Sequence, residues 1–417
     1  MKHKYQQGVA TLLITSILLS VALVVTLGSY KNLFYQIKRA QNEVKARQDH
    51  WLAEGGLECV YSLAKLANKL ENVQAGDINS YCKLPLALSD LTLDIISGKI
   101  KSKPNSQYNT ELTKIISNYS TSSSSGAMKS TANLFFNTSM SFYTPDPGVE
   151  TPDGFECTII RHKGSINLRG PMDNKGLLDG KPPSSDFSSL KNCLMTHRSH
   201  WGDKDIVPDP DLKPFEEFFG VKEENHDQVR SKFDYRIAGG GVNCGQRVKE
   251  KISAHQEANP GGKVTIWVDG HCEIADPYIL DIALESQKTD GLLLLVHEGV
   301  FSMNSSPEEG QSSPDIKGLV FHFNDQYDAS ENHWNGMVNK ANLFHSVHNF
   351  ALADRKKTSF YHHGSISLTG GFYIDDDKNN AMFNNSMAFH FNSDVINNLQ
   401  NSFVSGLKWQ EGSWNAQ

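Results

Sequence analysis

The sequence predicts an α+β protein in which a long N-terminal helix is followed by a β-rich domain. Three observations support this fold class. An uncharged apolar run occupies residues 9–27, a helical pattern without proline continues to about residue 70, and short aliphatic runs separated by Gly, Asn, Asp and Ser fill the chain from about residue 151. The last pattern predicts a right-handed parallel β-helix, or solenoid, with loop and helix excursions.

The apolar run reads VATLLITSILLSVALVVTL and is followed by Gly28. A helix of roughly 20 such residues is long enough to span the ~30 Å hydrocarbon core of a bilayer. Lys2 and Lys4 precede the run, and basic residues on this side keep the N-terminus in the cytoplasm. We therefore expect one transmembrane segment at residues 9–28, with nearly everything after it outside the cytoplasm.

Three kinds of N-terminal segment are compatible with this pattern: a cleaved secretory signal, a generic signal anchor and a prepilin signal. A secretory signal usually has a shorter apolar core and a small-residue cleavage site after it. In a prepilin the short basic leader ends in Gly before the apolar run, and Gly8 followed by Val9 fits this arrangement. The segment resembles the class III signal of type IV pilins, pseudopilins and their minor relatives. This resemblance implies a leader at residues 1–8, cleavage by prepilin peptidase after Gly8, and N-methylation of Val9.

One position departs from the pattern of major pilins. These proteins carry Glu at the fifth mature position, where it is thought to pair with the N-terminal amine of a neighbouring subunit, and this chain has Leu13 there. A carboxylate without a partner is costly in lipid. The substitution therefore favours a minor subunit that sits at a filament tip or starts assembly.

The helical pattern extends over residues 9–70, and its distal part contains the stretch WLAEGGLEC at residues 51–59. This stretch resembles the AEAGLE segment of PilX-type minor pilins. Two adjacent glycines cost roughly 1 kcal/mol each in a helix relative to Ala. Gly55 and Gly56 therefore predict either a kink or a closely packed neighbour. We interpret residues 71–150 as a connecting α/β region.

Residues 151–417 are predicted to form the solenoid-like domain. Ile266, Leu293 and Val320 are equally spaced along the chain, each within an apolar run, and their spacing falls in the range of stacked strand–turn–strand coils. The run RHKGSINLRG at 161–170 is similar to YHHGSISLTG at 361–370. Insertions are expected at about 171–245 and 325–357. The C-terminal pattern, which includes LKWQE at 407–411, resembles the β-helical region of PilX-like proteins.

The composition limits the classes of function. The 417-residue chain has a formal net charge of −7, which gives no basic footprint for nucleic acid. Its six cysteines form no CxxC motif, and in an exported protein an even number predicts disulfides. Six cysteines allow 15 pairings. Pairing in chain order is the simplest of them, while other pairings and buried free thiols stay open; the six are Cys59, Cys82, Cys157, Cys193, Cys244 and Cys272.

Few residues form a pattern that predicts chemistry. Asp375, Asp376 and Asp377 are the best candidates for calcium, because clustered hard oxygen ligands in a turn are what Ca²⁺ requires, although the spacing of an EF-hand is missing. The 16 histidines include the pair His362 and His363, which strand alternation sends to opposite faces. HExxH, GxSxG and P-loop motifs are missing from the sequence. We expect neither a resident metal or other cofactor nor catalysis.

The resemblance implies a function in a type IV pilus or a related secretion filament. The chain is expected to be a minor pilin or pseudopilin that acts in assembly initiation or at the tip, with other pilins as partners. It would be held in the inner membrane by one span, with a periplasmic domain, until it joins the filament. One alternative is a tip-displayed adhesin on the same anchor, and another is a membrane-anchored β-helical enzyme acting on carbohydrate.

Overall fold

The computed structural model describes residues 6–67, 70–95, 97–106, 110–118, 125–137, 139–178, 181–198, 202–239, 241–306, 313–346, 349–404, 407–410, 412–413 and 415–416. The chain divides into two compact units. The first, here called the helix unit, comprises Met1–Tyr119 and Gly406–Gln417. The second, the β unit, comprises Ser120–Ser405. In sequence the β unit is thus inserted into the helix unit, and it starts at Ser120, well before the expected boundary at 150/151.

The helices are α1 (Gln6–Ala67), α2 (Ala75–Asp77), α3 (Pro214–Phe219), α4 (His226–Arg230), α5 (Cys244–Ala258), α6 (Tyr278–Gln287), α7 (Asn339–Leu343), α8 (Leu352–Lys356) and α9 (Ser393–Gln400). Short 3₁₀ or π turns occur at Leu70–Asn72, Ile78–Lys83, Met195–His197, Glu223–Asn225 and Glu331–Trp334. The strands of the helix unit are β1 (Leu88–Leu93), β2 (Lys99–Pro104) and β3 (Leu112–Asn118), together with two near the C-terminus that are numbered below.

The strands of the β unit are β4 (Met128–Ser130), β5 (Asn133–Asn137), β6 (Met140–Thr144), β7 (Glu150–Thr151), β8 (Gly154–Phe155), β9 (Ile160–His162), β10 (Ile166–Leu168), β11 (Met172–Asn174), β12 (Ile206–Pro208), β13 (Tyr235–Ala238), β14 (Val264–Asp269), β15 (Cys272–Ile274), β16 (Leu292–His297), β17 (Phe301–Ser305), β18 (Asp315–Phe323), β19 (Thr358–Gly364), β20 (Ile366–Asp375), β21 (Asn380–Asn384) and β22 (Met387–Phe391). Two further strands, β23 (Leu407–Trp409) and β24 (Asn415–Ala416), complete the helix unit.

The long predicted helix is present as one continuous element, α1. Its C-terminal part buries Ala53, Leu57, Val60 and Ala64, whose three- and four-residue spacing places them on one face. A Cβ at Gly56 would lie 2.5 Å from Ser102 Oγ and 2.6 Å from a methyl carbon of Leu88. The glycine therefore reflects a closely packed neighbour and not a kink.

The helix unit is closed by the end of the chain. Strands β1, β2 and β3 form an antiparallel sheet, and both β23 and β24 pair antiparallel with β3. The Tyr61 ring stacks on Trp409 at 4.7 Å, and the Tyr61 hydroxyl donates to the Leu407 carbonyl at 2.7 Å. Residues 407–416 thus differ from the sequence-based assignment to the β-rich domain, because their apolar side chains fit the surface of α1.

The β unit consists mainly of parallel strands in two sheets. A sheet of six strands has the order β10-β5-β21-β19-β17-β15, and a sheet of eleven contains the path β11-β6-β22-β20-β18-β16-β14-β13. The register partner of Ile266 is Leu294, and that of Leu294 is Val320. The step from Ile266 to Leu294 is longer than the step from Leu294 to Val320, and the equal spacing seen in the sequence is only their average. Leu293 lies one position out of this register and points to the other face of the sheet.

Strands from successive passes of the chain do not stack in chain order. The last set, β20, β21 and β22, pairs with the first set, β4, β5 and β6, and this first set pairs in turn with β9, β10 and β11. Stacked rings join the first and last sets, with centroids 4.7 Å apart for Phe136 and Phe383 and 4.9 Å apart for Phe142 and Phe389. The first strands of the unit therefore lie inside the stack.

Both expected insertions contain ordered structure. The first, at 171–245, contributes β11, β12 and β13 to the large sheet, and its helix α3 buries Phe215, Phe218 and Phe219 in the main core. The second, at 325–357, packs around the buried side chain of Trp334 in a small core that it shares with Phe135, Val300, Tyr361 and Met382 outside the insertion. The similar runs at 161–170 and 361–370 each cross both sheets but in opposite order, since β9 and β20 belong to the large sheet and β10 and β19 to the small one.

Three disulfides join the cysteines in chain order. Cys59–Cys82 ties α1 to the Ile78–Lys83 turn in the helix unit. Cys157–Cys193 and Cys244–Cys272 lie in the β unit. The last of these links the start of α5 to β15.

Candidate functional site

The first half of α1 is an exposed apolar surface. Among the described residues, α1 is the one helix long and apolar enough to cross a membrane, and none of its most apolar window is buried. Leu12, for example, is 73 % exposed. Gly8 and Val9 lie in the first turns of this helix, and Leu13 is exposed beyond them. Residues 1–5 of the expected leader lie outside the described part of the chain.

The polar residues of this apolar segment satisfy their own hydroxyl groups. The hydroxyls of Thr15, Ser16, Ser20 and Thr26 donate to backbone carbonyls three or four residues earlier, at 2.8–3.0 Å. An unsatisfied hydroxyl is costly in an apolar medium. The segment is therefore compatible with lipid or with a helical neighbour despite these hydroxyl groups.

A second candidate site lies at the carboxyl edge of the large sheet in the β unit. Asp269, His297, Phe323 and Asp375 end four neighbouring parallel strands and are direct register partners. The carboxyl ends of parallel strands meet at the same edge, so these residues and the turns after them are brought together. We call Asp269, His297, Glu298, Asp325 and Asp375 the acidic edge.

The chain between residues 214 and 230 lies across the acidic edge. The Phe215 amide donates to Asp375 Oδ2 at 2.9 Å, and Arg230 approaches Asp269 Oδ1 at 3.3 Å. The His226 ring lies 4.7 Å from the His297 ring, measured between centroids. Helices α3 and α4 thus cover the polar ends of strands whose interiors are apolar.

A charged cavity of about 380 Å³ opens beside this edge. Six carboxyl groups and three lysines line it, together with Thr131, Leu212 and Gln326. Burial and the nearby carboxylates of Asp377 and Glu216 raise the pKa of Glu223. The surplus of carboxyl groups makes the cavity suited to cationic or polar ligands; the charged residues are Lys163, Lys213, Glu216, Lys222, Glu223, Glu224, Asp325, Asp375 and Asp377.

The three consecutive aspartates considered as calcium candidates have different partners. Asp375 accepts from the Phe215 amide at 2.9 Å and from Thr131 Oγ1 at 3.1 Å. Burial raises its pKa to about 8. Asp377 pairs with Lys163 at 2.6 Å on the surface.

Asp376, between them, is buried and fully engaged. Its carboxylate accepts from Ser359 at 2.6 Å and from the amide groups of Asn324 and Asn379 at 2.7 Å each. Burial raises its pKa to about 6. The three carboxylates therefore face different partners, and protein donors occupy the two buried ones.

Another group at the acidic edge does bring ligand atoms together. His297, Glu298 and Asp325 each place one such atom within 4.8 Å of the other two. His297 Nε2 lies 3.8 Å from Asp325 Oδ1, and Nδ1 lies 3.7 Å from Asp269 Oδ1. Burial, with the neighbouring His226 imidazole, lowers the pKa of His297 to about 4. The imidazole is therefore neutral at pH 7 and has a lone pair to offer.

Glu298 is held in place by the turn that follows β18. Its Oε1 accepts the backbone N–H groups of Asp325 and Gln326, both at 2.9 Å. Its backbone is in the left-handed region, with φ of 53°. Burial raises the pKa of its carboxyl group. This geometry aims the side chain of Glu298 at Asp325 and not into solvent.

Sequence reasoning missed this group but its signal is visible. The apolar runs VTIWVD, LLLLVHE and LVFHFND each end in a His or a carboxylate, at the point where a parallel strand leaves the core. A nearby buried carboxylate, by contrast, has a structural role. Glu273 is buried and accepts the N–H groups of Val338 and Asn339 at 2.8 and 2.9 Å, which fixes the start of α7.

His362 and His363, the pair noted in the sequence, do not form a site together. His362 is fully buried and His363 is partly exposed on the opposite side of β19. His345 is exposed, and His348 lies outside the described residues. Comparison of the chain with protein-family models, curated proteins and solved structures gives no match.

Proposed function

We propose that this protein is a minor pilin-like or pseudopilin-like subunit of a type IV pilus or related secretion filament. The observation that carries the proposal is α1, one continuous helix with an apolar, fully exposed first half and a second half packed on a small antiparallel sheet. In this proposal the first half anchors the chain in the inner membrane and later packs among the helices of the filament. The β unit is displayed outside.

The exposed surface of α1 needs a cover. Exposed apolar surface is unfavourable in water by roughly 25 cal/mol per Å², and a contiguous patch of this size marks a membrane or protein contact. Ala10, Ser16, Ser20, Ala22 and Gly28 are small residues distributed along the segment. Helices in lipid associate through such small residues, because lipid supplies little hydrophobic drive. The same segment is therefore suited first to lipid and then to neighbouring helices.

Leu13 and the β unit both favour a rare position in the filament. Leu13 offers no carboxylate to the amine of an adjacent subunit, so the chain is unsuited to a repeating contact of that kind. We propose that the parallel sheets form a right-handed β-helix, which the stacking of three-strand sets supports. Ser120–Ser405 is a bulky unit to repeat along a packed filament. A tip or priming role avoids that crowding.

The test is the N-terminus of the mature protein. We expect mass spectrometry of the protein from native membranes to give a chain that starts at N-methylated Val9, and to give intact Met1 when prepilin peptidase is deleted. The matched control is a Gly8→Val chain, which should stay uncleaved in the presence of the peptidase, since the enzyme must draw the backbone close at this residue. Cleavage beyond Gly28, or an intact Met1 in wild-type cells, would refute the proposal.

A further inference from the structure

We propose that the β unit binds one divalent transition-metal ion of the Zn²⁺ type through His297, Glu298 and Asp325. The site is independent of the filament role proposed above, because it lies in Ser120–Ser405 and involves no residue of α1. It is built from two adjacent parallel strands. His297 ends β16, Glu298 follows it, and Asp325 lies just after the end of β18.

A buried nitrogen of His297 is evidence for a bound ion that does not depend on the acidic residues. The side chain is only 6 % exposed, and its Nε2 atom has no hydrogen-bond partner in the described part of the chain. Leaving a buried polar group unsatisfied costs about 1–3 kcal/mol. The atom is aimed at Asp325 Oδ1, 3.8 Å away, which is too long for a hydrogen bond. An ion between the two would satisfy both.

The distances suit a shared ion. Two ligand atoms that each lie ~2.1 Å from a tetrahedral Zn²⁺ are about 3.4 Å apart. The 3.8 Å between His297 Nε2 and Asp325 Oδ1 needs only a small closure, and the whole group fits within 4.8 Å.

The surroundings hold two of the ligands in place. Backbone N–H groups fix Glu298 Oε1, which leaves Oε2 for an ion. On the other side of the imidazole, Asp269 lies 3.7 Å from His297 Nδ1 and is itself held by Arg236 and the Trp267 indole at 2.8 and 2.9 Å. A carboxylate that accepts from the second ring nitrogen is the usual support for a metal-binding imidazole, and Asp269 would take this role if the 3.7 Å gap shortened on ion binding.

The charges at the site are unbalanced without a cation. Arg230 and Arg236 neutralise Asp269. Among the described residues, neither Glu298 nor Asp325 forms a salt bridge with a lysine or arginine, and Lys378 donates to the Asp325 backbone carbonyl instead of the carboxylate. Two carboxylates in contact repel each other unless a proton or a cation lies between them. A divalent ion removes that repulsion.

The ligand set selects the class of ion. One imidazole and two carboxylates suit Zn²⁺ or Mn²⁺, whereas Ca²⁺ takes six to eight oxygen ligands. Three protein ligands leave at least one position of the ion open. Asp325 also lines the charged cavity, so the ion would lie at the cavity wall. Water or an anionic group in the cavity completes the coordination.

The experiment measures Zn²⁺ binding to the full chain in detergent, purified without a histidine tag and stripped with a chelator. Equilibrium dialysis with metal analysis should find one tightly bound Zn²⁺ per chain. Glu298→Gln and Asp325→Asn, which preserve shape, should each weaken binding at least ~10-fold, since loss of outer-shell support alone costs 10- to 100-fold. The matched control Asp377→Asn removes a carboxylate that lines the same cavity but is paired with Lys163 and is no ligand of the ion, so it should weaken binding far less than the ligand variants.

Two further measurements keep the result interpretable. Circular dichroism of the apo variants reports whether they fold, and His297→Gln gives a third ligand variant in case one does not. Co²⁺ in place of Zn²⁺ should give visible absorption bands that disappear in the ligand variants and persist in Asp377→Asn. The proposal is overturned if the folded wild type binds no Zn²⁺ tightly, if Glu298→Gln and Asp325→Asn bind it as wild type does, or if Asp377→Asn weakens binding equally.

Discussion

Replacing Asp375 with asparagine should remove much of the alkaline sensitivity of the β unit. Asp375 is buried at the acidic edge, and burial, with the nearby Glu223 carboxylate, raises its pKa to about 8, far above the ordinary value near 3.9. The folded state therefore holds a proton on this group between about pH 4 and pH 8 that the unfolded state has released. Because the folded state binds more protons, the free energy of unfolding falls as the pH rises through this range.

The size of the effect follows from the two pKa values. Between pH 6 and pH 9, Asp375 should lower the free energy of unfolding by about 2.7 kcal/mol. An asparagine at this position does not ionise. Its carbonyl oxygen can accept from the Phe215 amide as Asp375 Oδ2 does at 2.9 Å, and its NH2 group can donate to Thr131 Oγ1, which lies 3.1 Å from Asp375 Oδ1. Asp375→Asn should therefore resemble wild type at pH 6 and exceed its stability by about 2.7 kcal/mol at pH 9.

Urea unfolding of the full chain in detergent at pH 6, 7.5 and 9 measures this difference. Tryptophan fluorescence is a suitable signal, because Trp267 and Trp334 are fully buried in the β unit. The matched control is Asp377→Asn, a surface residue paired with Lys163, whose effect should stay below ~1 kcal/mol at each pH. If the gap between Asp375→Asn and wild type does not widen with pH, the assignment of a buried, protonated Asp375 is wrong.

Two other predictions concern the core and the unit boundary. His362→Leu should raise the free energy of unfolding at pH 7 by about 1–3 kcal/mol, because both ring nitrogens are buried without a hydrogen-bond partner among the described residues. Between pH 7 and pH 5 the unfolded state binds a proton at His362, whereas burial lowers the pKa of the folded imidazole to about 3 and keeps it neutral. His362→Leu should therefore remove ~1.9 kcal/mol of the fall in the free energy of unfolding over this range. Urea unfolding at both pH values measures this change, and the exposed His345→Leu variant is the control. The second prediction removes the β unit by replacing residues 119–406 with Asn-Gly. The helix unit should still fold, because Asn118 and Leu407 are register partners in an antiparallel pair and a two-residue hairpin can connect them. Retention of the Cys59–Cys82 disulfide and of a cooperative thermal transition checks it, and a molten or aggregated product would contradict it.

Local patterns were predictable where one segment determines its own structure. The apolar run of α1 and its continuation to Ala67 depend on length and helical periodicity, which are visible in the sequence. The parallel strands were visible as apolar runs such as LLLLVH at Leu292–His297, which is buried along its whole length. Such a run is typical of a strand covered on both faces.

Long-range pairing was not predictable in the same way. Nothing in the pattern of Leu407–Trp409 distinguishes a strand of the β-rich domain from one that pairs with β3, and the contact of Trp409 with Tyr61 decides it. The candidate metal site has the same origin. Asp325 and His297 lie far apart in the sequence, and only the register of β16 against β18 shows that their side chains meet.

The order in which strands are stacked has a consequence for biosynthesis. A ribosome delivers the chain from its N-terminus, and the first set of strands, Met128–Thr144, emerges long before Ile366–Phe391, against which it packs. One side of the early strands, including Phe136 and Phe142, must remain uncovered during that delay, and exposed apolar surface of this kind invites chaperone binding or aggregation. The helix unit waits longer still, for residues 407–416. A chain terminated before Ile366–Phe391 can complete neither unit, so such products are left open to proteolysis.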